Sequence, residues 1–352
     1  TVLGERTPAM NIFLDQPALP TFWFLLIGVL FIGYLILDGF DLGVGMMMSK
    51  VFARNEKERR LLLNTIGPVW DGNEVWLITA GAGIFAAFPF WYASLFSALY
   101  IPLTLILVAL ILRVVAIDYR GKRSDAQWVN TWNTILALSS FFIAFFIGAL
   151  LAITTTGLPL NERGNVTSVF AWVLNPWTYV GALAIVGFSY VQGLAFVALK
   201  TDGEVRHRAR KSLVRLLPVA VLPAVAWVLW LQFDGPSAGI LTYALTVLAV
   251  FAVVLAFVSA KGGREGWAFI GTSLFIALGV LAIFLALYPH VLPSTLDTAN
   301  TLTIENASSS PYTLRIMSWA GCIMLPIVIL YQSWTYYQFR QRLSVHHIPE
   351  AH

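Results

Sequence analysis

Apolar residues fill this chain in long stretches, broken at short intervals by polar clusters. A helix that crosses a bilayer needs about 17–25 mostly apolar residues. Nine stretches qualify: 21–48, 64–88, 92–116, 129–155, 176–199, 213–232, 239–259, 266–288 and 313–338. The first and last are long enough to protrude or tilt. Gly81, Gly83 and the break at Pro89 separate the second from the third. The pattern predicts an all-α polytopic membrane protein with about nine transmembrane helices. It forms a single integral membrane domain over 1–352, with helices one to four within 21–155, five to eight within 176–288 and the ninth at 313–338.

The charges between these stretches alternate. Lys50, Arg54, Lys57, Arg59 and Arg60 follow the first span, and Arg120, Lys122 and Arg123 follow the third, with Arg113 just inside it. Lys200, Arg206, Arg208, Arg210, Lys211 and Arg215 follow the fifth, Lys261 and Arg264 the seventh, and Arg340 and Arg342 the ninth. The opposite ends carry only Arg6, Arg163 and Arg315. Cytoplasmic links are enriched in Lys and Arg, so the N-terminus is expected outside and the C-terminus in the cytoplasm. The outer links 157–175 and 289–312 are instead rich in Ser, Thr and Asn. Aromatic residues crowd the boundaries, as in Phe90-Trp91-Tyr92, in the manner of an interfacial belt.

Composition narrows the picture. Only 11% of residues are charged, against about 25% in an ordinary soluble domain. The mean hydropathy is +0.76. The net charge of +4 is what basic links flanking membrane helices produce, so no nucleic-acid partner is expected. The first residues, with Glu5, Arg6 and Pro8, lack the apolar core of a signal peptide, and Met10 is a plausible initiator. A lone cysteine, Cys322, excludes an internal disulfide and a cysteine-held metal cluster.

Against this background the acids stand out. Asp38 and Asp41 lie three residues apart near the inner end of the first span, a spacing that puts both on one side of a helix. Asp71 and Glu74 repeat that spacing at the start of the second, in GPVWDGNEVWLI (67–78). A charge at the centre of a membrane helix costs roughly 2.5–3.5 kcal/mol on insertion scales, so intramembrane carboxylates are functional candidates, here for a proton path or ion site. Competing roles are a salt bridge from the first pair to Arg54 or Arg59, and a helix cap by Asp71. Gly39, Gly43 and Gly45 leave a small-residue face for another helix or a cofactor, and Met46, Met47 and Met48 read as core filling.

The histidines carry a negative message. His207, His290, His346, His347 and His352 all lie in links, at a helix end or in the tail. An intramembrane haem takes axial His, Met or Cys ligands, so this chain is expected to ligate no haem and no metal. No phosphate-binding loop, nucleophile elbow or zinc-protease helix motif occurs. A proton-handling subunit and a proton-coupled secondary transporter both fit.

The same segments resemble subunit II of the cytochrome bd-type quinol oxidases. The resemblance rests on YLILDGFDLGVG (34–45), Glu58-Arg59-Arg60 and, most specifically, TIGPVWDGNEVWLITAGAGIFAAFP (65–89). Arg113, Asp118-Tyr119-Arg120, Asn175-Pro176, Gln192-Gly193, Tyr288-Pro289, Ser308-Ser309 and Pro326 to Trp334 extend it over nearly the whole chain. One departure is RVVAIDYR (113–120), where many members have Gly or Pro after the arginine and Phe before the acid.

The resemblance implies two four-helix bundles plus a peripheral helix, in a bacterial cytoplasmic (inner) membrane. It implies a heterodimer with a larger subunit I that holds haem b and haem d, oxidises quinol and reduces oxygen to water with cytoplasmic protons. A small single-span accessory subunit and a structural quinone near Trp70 belong to the same expectation. So does a proton route through Asp41 and Asp71, with Asp38 and Glu74 beside it. The alternatives are the transporter and a scaffold that only shields the haem subunit from lipid.

Overall fold

The computed structural model describes residues 17–348. The leader with Glu5, Arg6, Pro8 and Met10, and the terminal His352, lie outside them. The membrane-length helices are α1 (Ala18–Met47), α3 (Trp70–Ala87), α5 (Tyr100–Tyr119), α6 (Ala126–Thr156), α8 (Pro176–Lys200), α11 (Ile240–Lys261), α12 (Glu265–Leu287) and α13 (Pro311–Gln338). Shorter helices are α2 (Glu56–Ile66), α4 (Pro89–Ala98) and α7 (Ala171–Leu174), while α9 (Gly203–Ala220) runs into α10 (Leu222–Asp234).

Sequence punctuation explains the starts. Asn175 and Ser310 each cap a helix whose next residue is proline, accepting from the backbone N–H of Trp177 and Thr313. Proline suits that place because its missing N–H would be unpaired anyway. Asp125 caps α6 through the N–H of Trp128, and Asn55 caps α2 through Glu58.

Eight segments among the described residues are long and apolar enough to cross a membrane, with α9 and α10 counting as one. The helix expected as the second span forms as α3 but is not among these eight, because Asp71, Asn73 and Glu74 in its first turns lower its apolarity. Its 18 residues still reach about 27 Å at 1.5 Å per residue.

Three boundaries differ from expectation. The third span begins at Tyr100, not at 92, because α4 intervenes. Pro89 drives Phe88 out of the helical region, and the ring of Pro102 opposes the carbonyl of Ala98, so the chain turns twice. The basic run after the fifth span is not a loop. It is the first half of α9, whose buried Val205, Ala209, Leu213 and Leu217 repeat at helical spacing. The link after the first span likewise folds into α2.

Packing is close where glycines meet. Gly43 on α1 faces Gly193 on α8, and a Cβ on Gly193 would lie 2.8 Å from the Gly43 Cα. A side chain at Gly45 would collide with Ser140 of α6. The glycine face therefore seats neighbouring helices, and Met46, Met47 and Met48 fill core beside it. Helix α1 packs on α3, α6, α8 and α12; α6 packs on α5 and α8; α11 pairs with α12. Peripheral α13 buries only Leu314. Hydrogen bonds hold it instead: Trp23 Nε1 donates to the Leu314 carbonyl (3.3 Å) and to Ser318 (3.1 Å), and Gln332 Nε2 donates to the Gly72 carbonyl (2.6 Å).

The two ends of the helix array differ as the charges foretold. At one end Arg120 pairs with Glu56, Arg208 with Glu58 and Arg206 with Glu265. Leu343 of the tail lies alongside Thr201 there. At the other end the links 157–175 and 289–312 meet through Leu158 N–H to the Pro293 carbonyl (3.0 Å), and the second link folds on itself as the β1–β2 hairpin (His290–Leu292 with Leu302–Thr303).

Candidate functional site

The acids of α1 point inward. Asp38 and Asp41 are both fully buried. Their helix cannot rotate to relieve this, because the glycine contacts with α6 and α8 fix which face turns to the core. Asp38 Oδ1 lies 2.8 Å from Nη1 of Arg113, which is also fully buried, on α5. Glu74 Oε2 of α3 lies 3.9 Å from the same nitrogen. Asn73 Nδ2 donates to Asp41 Oδ2 at 2.7 Å and to the Leu37 carbonyl at 3.4 Å. Tyr336 of α13 donates its hydroxyl proton to Asn73 Oδ1 at 2.7 Å. Asp41 Oδ1 has no hydrogen-bond partner.

Asp38 and Glu74 thus meet at one arginine, with Asp41 three residues from Asp38 on the same helix. An uncompensated buried charge is strongly unfavourable. Arg113 is one cation beside three carboxylates. The salt bridge expected from Asp38 or Asp41 to Arg54 or Arg59 does not form. Arg59 instead approaches Glu56 at 3.9 Å, and the backbone N–H of Arg54 donates to Glu58 at 2.8 Å. Both lie outside the helix layer that holds the acids, whereas Arg113 faces them from within it.

Asp71 is not brought into the cluster. It is exposed on the surface of α3, on a face continued by exposed Val75, Ile78 and Thr79. The residue of α3 next to Asp41 is Asn73. Nor does Asp71 cap its helix: the N-cap is Val69, with no side-chain bond. Its place in the first turn is favourable to the helix dipole. Trp70 is half-buried and lines neither of two nearby spaces. One is an apolar groove of about 390 Å³ between α1, α3 and α13, where Trp76 Nε1 donates to Gln332 at 2.9 Å. The other is a chamber of about 480 Å³ beneath Tyr336.

Sequence reasoning missed the roles of Arg113, Asn73 and Tyr336. Arg113 carried a usable signal, since it interrupts an apolar run and has Arg120 two turns on. Tyr336 carried none, because a tyrosine near a helix end reads as an interfacial anchor.

The described residues offer little to a haem. His207 is exposed and contacts Arg210, His346 is exposed in the tail, and His290 sits half-buried at the end of a strand. Burial lowers the pKa of His290 and favours its neutral form. It borders an apolar cavity with about 70 Å³ of free space, room for about two waters and far too small for a porphyrin. No group of three His, Cys, Asp or Glu among the described residues is arranged for a metal ion.

The comparisons with known proteins agree in direction. The family model for cytochrome bd terminal oxidase subunit II matches residues 19–339. Cytochrome bd ubiquinol oxidase subunit 2 of Bacillus subtilis is 39% identical over 325 residues, covering 92% of this chain and 96% of that protein. Cytochrome bd-I ubiquinol oxidase subunit 2 of Escherichia coli K12 is 34% identical, covering 94% of this chain and 97% of that one. A chain in the structure of bd oxidase from Geobacillus thermodenitrificans shares the fold, with a TM-score of 0.72 at 20% identity over 92% of this chain and 99% of that one. With Asp38 and Glu74 meeting at Arg113 and Asp41 buried beside them, this multi-pass chain belongs to the cytochrome bd terminal oxidase subunit II family.

Proposed function

We propose that, within a quinol-oxidising bd-type oxidase, this chain supports the haem-bearing subunit I and carries part of the cytoplasmic proton supply to it. Asp71, Asp41, Asp38 and Glu74 are the carriers. One observation supports this above the others: Asp38 and Glu74 reach one guanidinium at 2.8 and 3.9 Å, and Asp41 is fully buried beside them with Asn73 as its hydrogen-bond partner. A set of acids with fewer counter-charges than carboxylates holds protons that can be exchanged. Arg113 fixes Asp38, and Asn73 orients Asp41 while leaving Oδ1 free. Asp71 heads an exposed apolar face of α3, and an acid there suits contact with a partner chain far better than contact with lipid.

In this reading the basic end is cytoplasmic, the membrane is the bacterial inner membrane and the whole chain acts as one membrane domain. The haems b and d belong to subunit I, which also supplies the oxygen chemistry. A small accessory subunit and membrane lipids complete the assembly. A structural quinone near Trp70 belongs to it too, and the apolar groove at Trp76 suits an isoprenoid tail.

A transporter would favour a broken helix with charge near the midplane. The break at Val221 between α9 and α10 has no ionisable side chain from Leu216 to Leu231. The test uses Asp41→Asn and Asp71→Asn in the assembled complex. Both should keep haem content and electron entry from quinol. Oxygen consumption should fall by roughly 10²-fold, the low end for a positioned proton-transfer group, and charge movement during haem oxidation should slow. Wild-type turnover in both would leave a scaffold as the better reading.

A further inference from the structure

The chamber beneath Tyr336 is unlike the other spaces in the molecule. It lies at the basic end, between Thr65, Phe196, Lys200, Tyr336, Arg340 and Arg342. Its about 480 Å³ accommodates a file of waters, each occupying about 30 Å³ in the liquid. The tail closes part of it as a strap. Leu343 N–H donates to the Lys200 carbonyl at 2.8 Å, Asp202 N–H to the Leu343 carbonyl at 2.9 Å, and Lys200 Nζ to the carbonyls of Phe339 and Gln341. Its inner wall leads to the acids. Tyr336 borders the chamber and bonds Asn73, and Asn73 bonds Asp41. Two side chains therefore separate the chamber from a fully buried carboxylate whose Oδ1 lacks a partner.

We propose that this chamber is the water-filled vestibule through which this subunit takes up protons for Asp41, with Tyr336 and Asn73 as positioning residues on its inner wall. The inference rests on the proton-carrying reading of Asp41. It differs in placing the mouth inside this chain, under the last helix, and not at the exposed Asp71. The step is a single proton transfer. A hydronium in the chamber gives its proton to the Asp41 carboxylate, leaving water and a neutral carboxyl, and onward transfer restores the carboxylate. A carboxamide does not relay protons in its ordinary tautomer, so Asn73 cannot be a link in the wire. It holds Oδ2 and leaves Oδ1 to receive the proton from water entering beside the couple. The charged and titratable groups around Asp41 are Asp38 on α1, Glu74 on α3, Arg113 on α5 and Tyr336 on α13, with Tyr34 of α1 against Asp38. From α6 and α8 the side chains nearest its glycine neighbours are the uncharged Ser140 and Phe188.

The experiment uses the whole haem-containing complex with Cys322→Ala. Leu199, on the chamber wall, is changed to cysteine and treated with a membrane-impermeant, positively charged thiol reagent from the basic-link side. Labelling should cut oxygen consumption several-fold relative to the same variant before labelling, with an unchanged haem spectrum. Tyr336→Phe should slow turnover by a factor that widens as the pH rises and protons become scarce; a purely structural loss would be independent of pH. Asp41→Asn is measured in parallel. If Asp41→Asn is slow while the labelled Leu199→Cys complex runs at its unlabelled rate, the vestibule is wrong and the route through Asp41 stands. A thiol that never reacts also overturns the vestibule. If Asp41→Asn itself turns over normally, the failure lies in the broader reading.

Discussion

Asp38 and Arg113 meet at 2.8 Å, on different helices and both without solvent exposure. They join the first and third membrane spans at a depth where neither charge is tolerable alone. Removing one partner of such a pair costs about 3–5 kcal/mol, because the other is left buried and unpaired. Arg113→Met is therefore expected to abolish assembly of the complex. The double variant Asp38→Asn with Arg113→Met should recover part of it. Haem yield per membrane protein measures both, and equal yields for the single and double variants would contradict the pairing.

The α1–α8 crossing leaves no room for a side chain at Gly43, where a Cβ would meet the Ser189 carbonyl. Overpacking typically costs about 1–3 kcal/mol. Gly43→Ala should lower the thermal midpoint of the purified complex, and Gly43→Val should prevent its isolation. Gly81 has no neighbour in the space its Cβ would occupy, so Gly81→Ala serves as the control with little effect.

The separation of the two ends can be read by labelling. Ser124 and Ser168 are both exposed, the first in a basic link and the second in an outer one. In a Cys322→Ala background, Ser124→Cys and Ser168→Cys should react with an impermeant thiol reagent from opposite sides of sealed vesicles, Ser124→Cys from the cytoplasmic side. Reaction of both from one side would break the topology.

Haem should be indifferent to every histidine of this chain. Replacing His207, His290, His346, His347 and His352 together should leave the absorption bands of the assembled complex unchanged. The loss of one haem from a complex that still assembles would show that this subunit supplies a ligand.

The sequence alone marked eight of the nine expected spans as long apolar helices, because a bilayer allows few ways to satisfy a backbone and long apolar runs leave little choice. It also sorted the links into two ends, since insertion reads Lys and Arg locally. Caps such as Asn175-Pro176 set helix starts to within a few residues. Local pattern likewise marked Asp38, Asp41, Asp71 and Glu74 as costly in an apolar setting, although Asp71 proved exposed. What it did not determine was their company. Arg113 rather than Arg54 or Arg59 balances Asp38, Asn73 rather than Asp71 touches Asp41, and Tyr336 reaches them from a helix some 260 residues later in sequence. Those meetings depend on the rotation and depth of each helix against its neighbours. Glycine contacts such as Gly43 with Gly193 fix that rotation only once the helices are packed. The outward turn of Asp71 has the same origin: α3 buries the face bearing Asn73 against α1, and a residue two positions earlier then lies about 200° round the helix.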